Sequence, residues 1–230
     1  MDAPNPQWEG CFAGASDAFR GDGMRAFITG TDTGVGKTFV TALLARALRR
    51  AGLDTVAIKP ICAGDRGDAE ILRAACGAEL ECDAINPVWL RMPVAPHLAA
   101  RHENRAVSIP ALDAWFRSVS AGRRSVLVEG AGGWLVPIAG KTLVADLAVT
   151  FGLPVIVVVA NRLGCINHAL LTIEGIRSRG LECRGLILNS LPHESAGAGL
   201  ETRLMLEEFT AVPVLFEITP GQKEIELALA

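Results

Sequence analysis

Short apolar runs alternate with longer helix-like segments along most of this chain. The apolar runs have the length and composition of buried strands. We predict strands at residues 26–29, 55–59, 125–128, 155–160, 186–188 and 214–216, and helices at residues 39–50, 69–76, 143–151, 168–179 and 200–209. This alternation predicts an α/β fold with three layers, in which a mostly parallel sheet carries helices on both faces.

Ligands of open parallel sheets gather beyond the carboxyl ends of the strands. Three polar residues stand at predicted strand ends: Lys59 ends the second strand, Glu129 ends a later one and Asn189 ends another. We expect all three on one side of the sheet.

Residues 27–38 read F-I-T-G-T-D-T-G-V-G-K-T, an apolar run that breaks into glycines just before a helix-like stretch. Glycines let the backbone turn tightly and point several N–H groups at oxyanions, and the following helix adds the positive end of its dipole. Lys37 can supply a cation to the β and γ phosphates, and the Thr38 hydroxyl is placed to ligate the accompanying Mg²⁺. The loop therefore predicts binding of a nucleotide with Mg²⁺.

This loop departs in one position from the usual spacing G-x-x-x-x-G-K-[ST]. Counting back from Gly36 places Thr31 at the first position, and Gly30 lies one residue further out. The alternative is a glycine turn between a strand and a helix whose lysine is solvated. The strand before the loop, the helix after it and the intact G-K-T favour phosphate binding.

Residues 126–133, V-L-V-E-G-A-G-G, form an apolar strand that delivers the carboxylate of Glu129 into a glycine-rich turn. Carboxylates at strand ends commonly hold Mg²⁺ directly or through water. The glycines of the turn, Gly132 among them, leave room for a substrate.

Two further polar residues have a structural alternative to a functional role. Asp68 opens a helix-like segment, where a helix N-cap explains it as well as a ligand role does. Lys59 is a cation near the expected phosphates, or else a surface lysine that extends its amine into water.

The segment Gly164, Cys165, Ile166 and Asn167 follows the most apolar strand and starts a helix. Free N–H groups at such a helix start can receive an anionic group.

Composition and charge narrow the class of protein. The 230 residues are 50% hydrophobic and 20% charged, which favours a large core, and residues 24–230 suit one α/β domain. Residues 1–23 carry turn formers and acids without the pattern of a signal peptide, and we predict a flexible extension there. A net charge of −3 gives no broad electrostatic reason to bind nucleic acid or an anionic membrane, and the longest apolar run is too short to span one. Six cysteines without C-x-x-C pairs fit a reduced, cytoplasmic compartment.

Five motifs in a fixed order closely resemble the dethiobiotin synthetase family of P-loop proteins. They are G-T-D-T-G-V-G-K-T at 30–38, K-P at 59–60, A-P-H at 95–97, V-E-G-A-G-G-W at 128–134 and L-G-C-I-N-H at 163–168. The resemblance implies an ATP-dependent carboxylase and cyclase of biotin synthesis. It converts 7,8-diaminopelargonic acid and CO₂ into dethiobiotin, with release of ADP and phosphate, by way of a carbamate and a carbamic-phosphoric anhydride.

The resemblance also implies roles for individual residues. Lys37 and Lys59 would stabilise charge on the transferring phosphoryl group and the carbamate, with Thr33 near the phosphates. ATP would contact Gly34, Val35, Gly36, Lys37 and Thr38, with Asn189 reading the adenine ring. The Mg²⁺ ligands would be Thr38, Asp68 and Glu129. In a homodimer, Gly164, Cys165, Ile166 and Asn167 would bind the substrate carboxylate of the partner subunit.

Two positions depart from the family pattern. Ala63 stands where a hydroxyl residue often contacts the substrate, and Gly34 occupies a loop position that can be acidic. The rival interpretation is an ATPase switch of the MinD or ParA type, whose loop carries an extra lysine where this chain has Asp32. A second rival, the nucleotide-binding part of a cobyrinate or cobyric acid amide synthase, requires a glutaminase domain for which this chain leaves no length.

Overall fold

A parallel β-sheet forms the middle layer of the protein. The computed structural model describes residues 23–192 and 199–227. The strands are β1 (Arg25–Gly30), β2 (Thr55–Ile58), β3 (Ile61–Ala63), β4 (Val88–Leu90), β5 (Ser125–Gly133), β6 (Pro137–Ala139), β7 (Thr142–Leu143), β8 (Val155–Ala160), β9 (Cys183–Asn189) and β10 (Val214–Ile218). The helices are α1 (Lys37–Arg50), α2 (Gly67–Ala75), α3 (Cys82–Ile85), α4 (Pro96–His102), α5 (Ile109–Ser120), α6 (Val144–Phe151), α7 (Cys165–Arg177) and α8 (Gly199–Phe209).

The main sheet has six strands in the order β10-β9-β8-β1-β5-β2, and every neighbouring pair is parallel. Its strands are buried on both faces, so their sequences are continuous apolar runs instead of an alternating pattern. The predicted mostly parallel sheet is therefore confirmed. Two short accessory pairs lie outside it: β3 with β4, and β6 with β7.

Helices cover both faces of the sheet, which confirms the three predicted layers. Phe27 points into a core shared with α5, α6 and α7, whereas its neighbour Ile28 points into a second core shared with α1 and α2. Successive residues of a strand face opposite sides, so one apolar strand supplies both cores.

The predicted main strands and helices are all present, with ends that differ by a few residues. Helix α1 begins at Lys37 instead of residue 39, and α2 begins at Gly67 instead of residue 69. The prediction did not include β3, β4, β6, β7, α3, α4 and α5.

The order of the strands fixes where a ligand can bind. From β1 the chain moves first to one side, forming β2 and β5, and then to the other side, forming β8, β9 and β10. This change of direction opens a crevice at the carboxyl end of β1, where the glycine-rich loop lies.

Nearly all of the predicted N-terminal extension, residues 1–22, lies outside the described residues. That residues 24–230 form a single domain stays a prediction. Among the described residues, no helix combines the length and the apolar character needed to cross a membrane.

Candidate active site

The glycine-rich loop joins β1 to α1 and brings a buried lysine to the edge of the sheet. Gly36 precedes the helix with a φ of 86°, a left-handed conformation that glycine adopts at little cost. Lys37 is 7% exposed, and its Nζ donates to the carbonyl oxygen of Asp32 in the same loop at 2.9 Å. The loop thus curls around its own ammonium group, and the alternative of a solvated lysine is wrong.

Lys59 lies at the centre of a compact charged cluster. Its Nζ donates to Oε1 of Glu129 at 2.5 Å and to Oδ2 of Asp68 at 2.6 Å. Thr38 donates its hydroxyl to the same Oε1 of Glu129 at 2.8 Å. Glu129 is fully buried and Lys59 is 4% exposed, so the alternative of a surface lysine is wrong. Four polar residues predicted from separate parts of the sequence therefore meet at one point.

Asp68 is the second residue of α2 and not its N-cap, a position that Arg66 occupies. The N-cap interpretation of Asp68 is therefore wrong. Its carboxylate instead pairs with Lys59, because the short loop 64–66 lets α2 begin close to the end of β2.

The two lysines of the site differ in their protonation. Burial and the nearby charge of Lys59 lower the pKa of Lys37 to about 8. Burial also acts against the charged form of Lys59, but Glu129 and Asp68 outweigh it and raise the pKa of Lys59 above its ordinary value. Partial burial acts to raise the pKa of Asp68, and the ammonium of Lys59 outweighs this and lowers it. Lys59 is therefore held as a permanent cation, whereas Lys37 can lose its proton near physiological pH.

The oxygen atoms around Lys59 are suited to a hard divalent cation. Thr38, Asp68 and Glu129 offer one hydroxyl and two carboxylates, the oxygen donors that Mg²⁺ takes from proteins that bind it with a nucleotide. Glu129 Oε2 is buried with no hydrogen-bond partner among the described residues, so an acceptor in this cluster stays available. In the described part of the chain, no group of three or more His, Cys, Asp or Glu residues has the arrangement of a metal site. With three protein oxygen donors, an octahedral Mg²⁺ would take its remaining ligands from phosphates or water.

A cleft with a volume of about 440 Å³ opens beside this cluster. Its polar lining includes Lys59 and Asp68, together with Thr33 of the glycine-rich loop and Gly132 near the end of β5. Asp65 also lines the cleft, and apolar and small side chains complete the wall: Ile61, Cys62, Ala63, Pro93, Val94, Ala95, Pro96, Ala131 and Val136. The cleft thus combines a charged end with an apolar wall, as an aliphatic substrate with polar ends requires.

The wall residues near Pro96 were not predicted as site residues. The motif A-P-H at 95–97 was recognised, but no role was given to it, although Ala95 and Pro96 line the cleft. The resemblance of this motif was the signal from which they could have been found.

Asn189 lies on the other flank of the glycine-rich loop. Its side chain is buried, and Nδ2 donates to the carbonyl oxygen of Val35 at 2.9 Å. Gly36 packs directly under this amide, since a Cβ atom placed there would meet Nδ2 at 2.2 Å. The end of β9 therefore holds the loop in shape.

The structure does not bring Gly164, Cys165, Ile166 and Asn167 to the cleft of their own chain. They start α7, with Gly164 and Asn167 exposed and Cys165 buried in the core. Gly34 is exposed on the outer side of the glycine-rich loop.

The parallel sheet, the glycine-rich loop after its first strand and the buried lysine of that loop define a P-loop nucleotide-binding protein. A protein-family model described as an AAA domain matches residues 24–224. Among solved structures, MinD from Pyrococcus horikoshii is similar with a TM-score of 0.55 and 20% identity, over 85% of this chain and 82% of that chain. A ParA family ATPase from Chlorobium tepidum has a TM-score of 0.53 and 14% identity, over 87% of this chain and 85% of that chain.

Curated relatives narrow the class to one family. The ATP-dependent dethiobiotin synthetase BioD of Akkermansia muciniphila is 45% identical over 205 residues, which cover 89% of this chain and 96% of that protein. The protein of the same name from Pseudomonas aeruginosa is 41% identical over 217 residues, or 88% and 95% of the two chains. This chain belongs to the dethiobiotin synthetase family, a family of ATP-dependent ligases. The MinD and ParA proteins share its fold alone.

Proposed function

We propose that this protein carboxylates 7,8-diaminopelargonic acid with CO₂ and closes the product to dethiobiotin, at the expense of ATP. The observation that carries the proposal is the cleft itself, because its apolar wall leads directly to Lys59 and the glycine-rich loop. An aliphatic diamine along this wall has its amines at the charged end, where phosphates of ATP would lie. Membership in the dethiobiotin synthetase family supports the same reaction.

The chemistry proceeds in three steps that require no covalent enzyme nucleophile. An amine of the substrate adds to CO₂ and loses a proton, which gives a carbamate. A carbamate oxygen attacks the γ phosphorus of ATP and ADP leaves, so that a carbamic-phosphoric anhydride forms. The second amine then attacks the carbamoyl carbon, phosphate leaves and the ureido ring closes.

Catalysis in this scheme is mainly the stabilisation of negative charge. Lys37 acts on the transferring phosphoryl group, and Lys59 lies between the phosphates and the carbamate. Thr33 lines the cleft beside Gly132 and would lie where the two reactants meet. Fixed charges in a buried site act without solvent reorganisation, which is why they lower the barrier.

The nucleotide would lie along the glycine-rich loop. Its phosphates would be bound by backbone N–H groups of the loop, those of Gly34, Val35, Gly36, Lys37 and Thr38. The start of a long helix, which carries free N–H groups and the positive end of the helix dipole, favours an anion at this position. Asn189 would contact the adenine ring, since its amide already borders the loop at Val35.

Thr38, Asp68 and Glu129 would hold Mg²⁺ in this proposal. The ion neutralises charge on the β and γ phosphates when it is bound. Lys59 keeps the two carboxylates together before the nucleotide binds, and Thr38 is held beside them by its hydrogen bond to Glu129.

A homodimer completes the proposed substrate site. Gly164 and Asn167 are exposed at the start of α7, and Leu163 before them is fully exposed. A helix start of one subunit facing the cleft of the other would bind the carboxylate at the far end of the substrate, where Ile166 and Cys165 shape the turn. A cytoplasmic location is part of the same proposal.

The direct test is phosphate release with and without the diamine. We expect 7,8-diaminopelargonic acid with bicarbonate to stimulate phosphate release from ATP, and Lys37→Ala to abolish the stimulated rate. A rate that ignores the diamine but responds to DNA or lipid would support an ATPase switch instead.

A further inference from the structure

The backbone of Lys59 is held from outside the main sheet. Strand β2 is the edge strand and ends at Ile58, one residue before Lys59. The N–H of Lys59 donates to the carbonyl oxygen of Ile85 at 3.0 Å. Its carbonyl oxygen accepts from Nδ2 of Asn86 at 2.7 Å. The last residue of α3, Ile85, and the residue after it, Asn86, therefore bind the backbone of Lys59 as a neighbouring strand would.

The side chain of Asn86 is buried, and both of its amide atoms make hydrogen bonds. Nδ2 donates to Lys59 and also to the carbonyl oxygen of Val88 at 3.1 Å, and Oδ1 accepts from Nε of Arg66 at 2.9 Å. If the amide were flipped, its oxygen would face the carbonyl oxygens of Lys59 and Val88, and its amino group would face the guanidinium of Arg66. Neither arrangement allows a hydrogen bond, so these contacts fix the orientation of the amide.

Arg66 connects Asn86 to the helix that carries Asp68. It stands directly before α2, and its carbonyl oxygen accepts from the N–H groups of Ala69 and Glu70 in the first turn. Its guanidinium also donates to the carbonyl oxygen of Asn86 at 2.6 Å and pairs with Asp83 at 2.7 Å. Arg66 is thereby clamped at both its backbone and its side chain.

We propose that Asn86 is a positioning residue, which fixes Lys59 and Asp68 relative to each other through its two opposite ends. One end holds the backbone of Lys59, and the other holds Arg66 and, with it, the start of α2. Lys59 and Asp68 sit on separate elements, so their 2.6 Å contact depends on how those elements are aligned. The consequence for catalysis rests on the proposed function.

Two variants of Asn86 test this assignment. Asn86→Asp keeps the oxygen that accepts from Arg66 and removes the amino group that donates to Lys59, with no change of size. Asn86→Ala removes both ends of the bridge. Loss of the partner that orients a ligand-bearing residue typically costs about 10- to 100-fold in activity, and we expect kcat/KM for the diamine to fall by that factor in both. The affinity for ADP measured without Mg²⁺ should stay within about twofold, because ADP then depends on the glycine-rich loop, which has no contact with Asn86.

Trp115→Phe is the matched control. Trp115 Nε1 donates to the carbonyl oxygen of Ala84 at 2.8 Å, in the same helix α3, but it has no contact with Lys59 or Arg66 among the hydrogen bonds of the described residues. This variant loses one hydrogen bond to α3 and should keep kcat/KM within about twofold when corrected for the folded fraction. Arg66→Met should lower kcat/KM by the same factor. The double variant with Asn86→Ala should lose no more activity than either single variant, because both substitutions remove the same connection between Lys59 and α2.

Wild-type kcat/KM in folded Asn86→Asp and Asn86→Ala, or fully additive losses in the double variant, would overturn the proposal. If the Asn86 variants fail to fold, Arg66→Met alone decides it by the same comparison. Crystal structures provide a readout that does not depend on the reaction: the Lys59 to Asp68 contact should be broken in Asn86→Asp, and its retention would contradict the assignment. A wild-type protein without diamine-dependent turnover would refute the proposed function and leave this structural comparison valid.

Discussion

At the scale of single residues, the two lysines of the site have opposite electrostatic surroundings. Lys59 has two carboxylate partners, Glu129 and Asp68, and its charge is held in place. Lys37 is buried and lies near the positive charge of Lys59, so its pKa falls to about 8. Of these two lysines, only Lys37 should therefore change its charge in the pH range in which enzymes are usually assayed.

The low pKa of Lys37 predicts a pH dependence of nucleotide binding. A base with a lowered pKa is neutral above that value, so the ammonium that would bind phosphate is lost as pH rises through about 8. We expect the affinity for a non-hydrolysable ATP analogue to fall by up to about tenfold per pH unit above that point. Titration calorimetry between about pH 7 and pH 9.5 measures this slope.

Lys37→Met provides the comparison, because it has no proton to lose at this position. Its weaker binding should not vary over the same pH interval. A wild-type affinity that stays constant across the interval would contradict the assignment of the lowered pKa to phosphate binding.

The positions and contacts of individual residues were also harder to predict from the sequence than the strands and helices. Lys59, Glu129 and Asn189 were predicted at strand ends. Lys59 does follow β2 and Asn189 does end β9, but Glu129 lies within β5, which continues to Gly133. Asp68 could not be assigned, because spacing alone does not distinguish a helix N-cap from a carboxylate that turns towards a neighbouring strand. Its contact with Lys59 depends on the path of loop 64–66, which no local pattern encodes.

At the scale of elements, apolar runs identified the buried strands because each is covered on both faces. The accessory strands β3 and β4 have three residues each, too few to show a pattern. Helix α5 was missed although its signals are present: Ser108 caps it by accepting from the N–H of Ala111, and its apolar residues share one face.

The junction between the glycine-rich loop and α1 gives a prediction at this scale. Gly36 has a φ of 86°, and a Cβ atom there would meet Asn189 at 2.2 Å, so Gly36→Ala combines backbone strain with a clash. Strain of this kind costs about 1–3 kcal/mol, and we expect ATP-analogue affinity to fall by more than about tenfold in calorimetry.

The variant Gly52→Ala separates the effect of backbone strain from the effect of the clash with Asn189. Gly52 also has a positive φ, of 78°, but nothing lies within 4 Å of the added Cβ atom, and the residue follows the far end of α1. It should lose about 1 kcal/mol of unfolding free energy with no change in nucleotide affinity. Equal nucleotide affinities for the two variants would show that the contact of Gly36 with Asn189 does not matter for binding.

At the scale of the whole molecule, the site is assembled from segments far apart in the sequence. The α/β class and the phosphate loop were predictable, because they depend on local patterns and on the ends of parallel strands. The shape of the cleft was not, because its wall comes from β3, the loop before α4 and the turn after β5, which meet only in the folded chain.

The proposed exchange of substrate-binding segments between subunits can be tested by mixing. Lys37→Ala disables the phosphate loop of its own chain, and Asn167→Ala removes a side chain that would act on the cleft of the partner. Each variant alone should be inactive or strongly impaired at low substrate concentration. A mixture that exchanges subunits should recover about a quarter of the wild-type activity, since half of the dimers then contain one intact site.

Variants that exchange subunits, as seen with two differently tagged chains, yet gain no activity would contradict a site shared between subunits. A mixture of Lys37→Ala with an Ala substitution at Thr33 is the control, because both residues belong to one chain's loop and no intact site can form.

In the proposed reaction, one site joins a carbon from CO₂ to both amines of the substrate while ATP is cleaved. The most direct measurement is mass spectrometry of the product formed from ATP, 7,8-diaminopelargonic acid and carbon-13 bicarbonate. We expect dethiobiotin that carries a single carbon-13, formed in step with one phosphate. Phosphate release with no labelled ureido product, under conditions in which the diamine is bound, would contradict it.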